Sequence, residues 1–159
     1  MPAILIVCTA NICRSPVAEA LLQNKLDALE PGWRVSSAGT LGVEGWPPAA
    51  ASAAMTAIRG IDITGHLSTA ISVELLIESD LVLCMEKAHV DYLVQLHPPA
   101  EPKILRLAEM SGQERDIPDP YGGPIQEFEA MVEDVDAVLD QGLDRIVSLA
   151  SANIKLGND

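Results

Sequence analysis

Along this chain, short runs of adjacent apolar residues alternate with stretches in which apolar residues recur every three or four positions. Ala3 to Val7 (AILIV) is continuous and rich in branched side chains, which predicts a strand buried on both faces. Ser15 followed by Pro16 marks a helix start, because proline suits a first turn whose N–H groups lack intrahelical partners. Val17, Ala20, Leu21, Leu22, Leu26 and Leu29 give that helix an apolar stripe, and Pro31-Gly32 ends it. Trp33 to Ala38 alternates as a second strand, Gly39 to Gly45 is a glycine-studded loop, and Pro47-Pro48 opens an alanine-rich helix reaching Arg59.

Beyond an irregular stretch from Gly60 to Ala70, the pattern predicts a short helix over Ser72 to Ser79 and a third strand over Leu81 to Met85. A helix follows from Lys87 to Leu96, stopped by Pro98-Pro99, and Ile104 to Leu107 forms a fourth strand. A polar loop runs to Gly123, and a long acidic helix covers Ile125 to Ala150 with Gly142 as a weak point. Strands separated by helices imply βαβ units, hence an α/β fold with a parallel sheet covered on both faces. Residues 1–159 are then expected to form one domain, with its site at the carboxyl ends of the strands.

Composition narrows the partners. The chain has 159 residues, 48% of them apolar, which suits a soluble globular protein. Its 10 Lys and Arg against 23 Asp and Glu give a net charge of −13, which repels nucleic acid and anionic membrane surfaces. No apolar run approaches the roughly 20 residues needed to span a bilayer, and the apolar start lacks a basic leader, so a cytoplasmic location is expected. Three cysteines, an odd number, read as free thiols. His89 and His97 show no metal-ligand spacing and read as surface residues, and no metal or cofactor is expected.

The first strand ends in Cys8-Thr9-Ala10-Asn11-Ile12-Cys13-Arg14-Ser15, and a helix begins at once. A strand-to-helix loop gathers backbone N–H groups around one point and adds the positive end of the helix dipole, which makes an anion site. Such a site favours the thiolate form of Cys8, and the planar fork of Arg14 can grip two oxygens of a phosphate. Ser15 can donate to that thiolate or cap the helix. Neither G-x-x-x-x-G-K-[ST] nor G-x-G-x-x-G is present, which removes the usual support for nucleotide binding.

Two motifs in this order resemble the low-molecular-weight protein tyrosine phosphatases, and a bacterial-type member in particular: C-x5-R-S-P over Cys8 to Pro16, and Asp119-Pro120-Tyr121 within Ile117 to Tyr121. Smaller matches lie at Ser37-Ala38-Gly39-Thr40, at Gly60-Ile61-Asp62 leading to His66, and over Asp80 to Lys87. The resemblance implies a three-layer, flavodoxin-like domain with sheet order 2-1-3-4, a catalytic loop at 8–15 and an acid loop at 117–123. It implies hydrolysis of phosphotyrosine through a cysteinyl-phosphate, with Cys8 as nucleophile, Arg14 binding the phosphate and Asp119 as general acid and base. Thr9, Ala10, Asn11, Ile12, Cys13 and Ser15 would surround the phosphate, and Ser37 and His66 would support the loop from behind. Val43, Trp46 and Tyr121 would wall the cleft. The implied partner is a phosphotyrosyl protein, among bacterial members a tyrosine kinase.

Ala10 stands where many members carry glycine, so a positive φ there would cost about 1 to 2 kcal/mol. Cys8 and Cys13 form, in the family, a pair able to make a reversible disulfide; a packed Cys13 thiol facing away is the alternative. The acidic residues Glu127, Glu129, Glu133, Asp134, Asp136, Asp140 and Asp144 read as a solvated helix face. Two other functions stay open: an arsenate reductase of the same fold, for which Cys84 lacks a downstream mate, and a non-catalytic phosphate-binding or redox-sensing module.

Overall fold

A computed structural model describes residues 1–157. Four strands, β1 (Ala3–Cys8), β2 (Arg34–Gly39), β3 (Leu81–Cys84) and β4 (Ile104–Arg106), form one parallel sheet in the order β2-β1-β3-β4. Among the described residues five α-helices flank it: α1 (Ser15–Leu29), α2 (Ala50–Ala57), α3 (Val73–Glu78), α4 (Lys87–Leu96) and α5 (Ile125–Gly157). The α/β architecture and strand order are those expected.

The continuous apolar run of β1 serves two cores at once, because successive side chains of a strand face opposite ways. Ile4, Ile6 and Cys8 pack with α1 and α5 on one face, while Leu5 and Val7 meet Leu76 of α3 and Leu93 of α4 on the other. Parallel pairing of β1 with both neighbours brings Cys8 level with Gly39 and Val7 level with Cys84. The carboxyl ends of the central strands therefore open at one edge, where the loop after β1 sits.

The differences from the sequence reading have local causes. The alanine-rich helix begins at Ala50, not at Pro47-Pro48. A residue preceding proline is pushed out of the helical region, and the Ala49 amide is drawn aside to the Ile12 carbonyl at 2.8 Å. The fourth strand ends at Arg106 because the Glu109 carboxylate takes the Arg106 amide at 2.7 Å. The chain turns there into a 3-10 helix, Leu107–Ser111, inside what reads as a polar loop; Leu107, Ala108 and Met110 are buried. The last helix runs past Ala150 to Gly157. Nor is its acidic side wholly solvated: Asp136 binds Lys25 at 2.7 Å and also Arg59, and Asp134 holds Arg115 through two bonds of 2.7 and 2.9 Å. Among the described residues no helix is long and apolar enough to cross a membrane.

Gly142 is a close-approach position and not a weak point. A Cβ there would lie 2.6 Å from Met110 Cβ and 2.8 Å from its backbone carbonyl carbon. Alanine improves helix propensity by about 1 kcal/mol, but the clash falls on backbone, which cannot swing aside. Gly142→Ala is expected to destabilise the fold by about 1 to 2 kcal/mol net, read as a lower urea midpoint; an unchanged or higher midpoint would refute the contact.

Candidate active site

Between Cys8 and Ser15 the chain makes a tight loop whose carbonyls are nearly all spoken for. Cys8 O takes the Thr40 amide at 3.0 Å, Thr9 O the Leu41 amide at 2.8 Å, and Ile12 O the Ala49 amide at 2.8 Å. Asn11 O pairs with His66 Nε2 at 2.8 Å, Cys13 O accepts from Ser52 Oγ at 2.9 Å, and Arg14 O from the Ala18 amide at 3.1 Å. In a planar trans peptide the following N–H points opposite to the carbonyl. The amides of Thr9, Ala10, Ile12, Cys13 and Arg14 thus face away from these partners, and none has a protein acceptor among the described residues. The result is a nest of donors beside Cys8 Sγ, at the start of α1.

Asn11 lets the loop close. It is the chain's positive-φ residue other than glycine among those described, at φ 61°, a region asparagine tolerates better than most. Ala10 does not carry the left-handed turn, so alanine there costs no such strain. The Asn11 side chain is fully buried and bonded at both ends: Nδ2 donates to Ser15 Oγ at 2.7 Å and to Ser37 Oγ at 2.9 Å, and Oδ1 accepts from the Thr69 amide at 2.9 Å. Ser15 Oγ lies 2.9 Å from Cys8 Sγ. Ser15 is the first residue of α1, with Arg14 at the cap, so its hydroxyl serves the cysteine and not the helix end.

Arg14 is 1% exposed, and its charge is met from two loops. Nη1 reaches Glu86 Oε2 at 2.6 Å and donates to Ile117 O at 2.7 Å, and Nη2 lies 3.5 Å from Asp119 Oδ2. Nε is buried with no partner. A buried donor without an acceptor costs about 1 to 3 kcal/mol and more on a charged group, so this nitrogen calls for an acceptor. Asp119 is held over the site by an Asx turn, its Oδ1 accepting from the Tyr121 amide at 3.0 Å.

These groups form the floor and rim of a cleft of about 320 Å3 that also takes in Thr9, Ala10, Ile12 and Cys13. Its walls are Leu41, Val43, Trp46 and Tyr121. Such an arrangement has room and donors for a compact tetrahedral anion above a sulfur, with an apolar channel leading to it. Every expected site residue is at the cleft or directly behind it: Asn11, Ser15, Ser37 and His66 form the hydrogen-bonded backing. Cys13 is buried, and burial first, then Asp119 and Cys8, push its thiol up to about 12. Cys8, Cys13 and Cys84 are all free. Among the described residues no cluster of His, Cys, Asp or Glu could hold a metal ion.

The sequence reading missed several contributors. Glu86 pairs with Arg14, and its signal was its place just past a strand's carboxyl end. Glu19 accepts from Ser37 Oγ at 2.9 Å, and its spacing of one helical turn from Ser15 was the available hint. Leu41 was overlooked as a wall. Gly39 is required because a Cβ would meet Thr9 O at 2.6 Å and Ala10 C at 2.9 Å. His89 is not a surface residue: it is buried, with Nε2 2.9 Å from Thr9 Oγ1. His97 is half-buried and caps α4.

Residues 3–152 match the family described as low molecular weight phosphotyrosine protein phosphatase. The chain is 36% identical over 127 residues to the low molecular weight protein-tyrosine-phosphatase Etp of Escherichia coli, covering 80% of this chain and 82% of Etp. It is similar to the structure of a low molecular weight protein tyrosine phosphatase from T. tengcongensis, with TM-score 0.87, 34% identity and coverage of 91% of this chain and 99% of that one. It is similar too to the YwlE arginine phosphatase from Geobacillus stearothermophilus, with TM-score 0.85, 34% identity and coverage of 93% and 94%.

His66 couples the backing to pH. Burial works against its protonation, but the facing Glu19 carboxylate, 3.6 Å away, and the Asn11 carbonyl outweigh it, so its pKa lies above the ordinary value. A raised folded-state pKa stabilises fully below the unfolded value of about 6.5, and the gain is lost as pH rises through the folded value. The Tm gap between wild type and His66→Gln should be widest near pH 6 and shrink toward pH 9; a constant or widening gap would refute the pairing.

Proposed function

The chain belongs to the low molecular weight phosphotyrosine protein phosphatase family, and from that premise we propose that it hydrolyses phosphotyrosine on proteins through a cysteinyl-phosphate intermediate. The observation that carries this reading is the set of unpartnered donors, loop amides and Arg14 Nε, gathered beside Cys8. Phosphoryl transfer needs positioning and charge stabilisation more than covalent help from the protein, and these donors supply both.

Cys8 Sγ attacks phosphorus as the bond to the tyrosine oxygen breaks. Asp119 gives its proton to the departing oxygen, so tyrosine leaves as a neutral phenol. Water then attacks the cysteinyl-phosphate, Asp119 takes up the proton, and the S–P bond breaks to release inorganic phosphate and the thiolate. Ser15, held by Asn11, donates to the sulfur and steadies its negative charge before attack and after release. Arg14 keeps Glu86 and Ile117 O on Nη1, leaving Nε, and Nη2 beside its 3.5 Å approach to Asp119, for the phosphate.

Substrate choice follows from the walls. Ile12, Leu41, Val43, Trp46 and Tyr121 present carbon to a side chain standing on the phosphate, and Asp119 is the one carboxylate lining the cleft among the described residues. A phenyl ring is stabilised by such walls, whereas the guanidinium of phosphoarginine would leave polar N–H groups unpaired. Phosphoserine has no ring to set against these walls. An arsenate-reducing relay is disfavoured, because Cys84 is wholly buried in β3.

Steady-state hydrolysis of matched phosphotyrosyl, phosphoarginyl and phosphoseryl peptides tests the assignment, and the tyrosyl peptide should have the highest kcat/KM. Cys8→Ser should abolish turnover. Asp119→Ala should lower kcat about 100-fold on phenyl phosphate and less on p-nitrophenyl phosphate, whose leaving group needs no proton. Preference for the phosphoarginyl peptide would overturn the tyrosine reading.

A further inference from the structure

His89 is 4% exposed and lines no part of the cleft, yet it touches the phosphate loop. Its ring is fixed at both nitrogens. Nδ1 receives the Glu86 backbone amide at 3.1 Å, in the capping box that starts α4. A ring nitrogen that accepts carries no proton, so in the neutral imidazole the proton is on Nε2. Nε2 lies 2.9 Å from Thr9 Oγ1; the ring therefore donates and the hydroxyl accepts.

Burial holds the ring neutral, lowering its pKa against the charges of Glu86, Asp116 and Asp119, with Arg14 acting in the same sense as burial. Protonation would also set an Nδ1–H against the Glu86 N–H. With its oxygen engaged by the ring, the Thr9 hydroxyl has one hydrogen left to give. The hydroxyl makes no other hydrogen bond among the described residues, and Thr9 lines the cleft beside Cys8.

We propose that His89 is a positioning residue: by donating to Thr9 Oγ1 it makes the Thr9 hydroxyl a hydrogen-bond donor to a phosphoryl oxygen in the cleft. This rests on the reading that the phosphoryl group sits in the 8–15 loop. Glu86 then has two duties, its amide orienting His89 and its carboxylate holding Arg14. The hydroxyl contacts an oxygen present in substrate, transition state and product alike, so its loss weakens binding throughout and leaves kcat nearly unchanged.

Long-range 1H–15N spectra of the wild-type protein at neutral pH should show His89 protonated at Nε2 and bare at Nδ1; the opposite tautomer overturns the proposal. With p-nitrophenyl phosphate, Thr9→Val and His89→Phe should each raise KM, and the inhibition constant of inorganic phosphate, about tenfold. The double variant should be no worse than either single one. Thr9→Ser, which keeps the hydroxyl, and His89→Gln, which keeps a donor, should recover most of the loss. A Thr9→Val enzyme with wild-type KM and phosphate inhibition, or losses that multiply in the double variant, would overturn the coupling. Should His89→Phe not fold, the wild-type spectrum and the Thr9 variants still decide. Turnover surviving in Cys8→Ser would sink the proposed function itself, whereas an inactive Cys8→Ser beside an unaffected Thr9→Val sinks only this inference.

Discussion

A guanidinium that is almost wholly buried and deliberately left one bond short governs the architecture of this protein. Taking a charge out of water costs several kcal/mol unless partners compensate. Arg14 finds Glu86 at the end of β3, the Ile117 carbonyl at the base of the acid loop, and Asp119 within that loop. Three segments far apart in sequence are thereby pulled to one point. What remains is Nε, buried and without a partner among the described residues. The fold tolerates this deficit because α1, α5 and the sheet supply a large apolar core behind it.

The loop around that charge follows the same logic of unequal satisfaction. Its carbonyls are tied to Thr40, Leu41, Ala49, Ser52 and His66, whereas its amides are left open. Asn11 in the left-handed region is the hinge of this division, and its side chain spends three hydrogen bonds on holding the turn. Behind it, Ser37, Glu19 and His66 carry the network to the surface. His89 and Thr9 are a second tether on the opposite side, so the loop is held from β2 and α2 on one flank and from α4 on the other. The strongly acidic surface is compatible with the proposed anion site, since these donors act at contact distance and distant carboxylates are screened.

Much of this was legible in the residues. The buried strand, the following helix and the Cys8 to Ser15 loop could be read from hydrophobic period and proline placement, because those are local properties of the chain. Trp46 and Tyr121, which the family resemblance placed at the cleft, line it in the structure and are 56% and 72% exposed. Boundaries fared worse where a distant group intervened: Ile12 displaces the start of α2, and the Glu109 carboxylate ends β4 one residue early.

Sequence alone determined the sheet, its helical cover and the chemistry of the first loop, since periodicity and a contiguous motif are written in neighbouring residues. Tertiary structure alone decided which groups complete the site. Glu86 and His89 look like an ordinary solvated helix start until β3 and β1 align side by side and bring them against Arg14 and Thr9. Gly39 looks like loop punctuation until the backbone of Thr9 and Ala10 passes too close for a Cβ. Gly142 looks like a flaw until Met110 is found packed on it. In each case the deciding contact joins residues distant along the chain, and no local pattern encodes what will stand opposite.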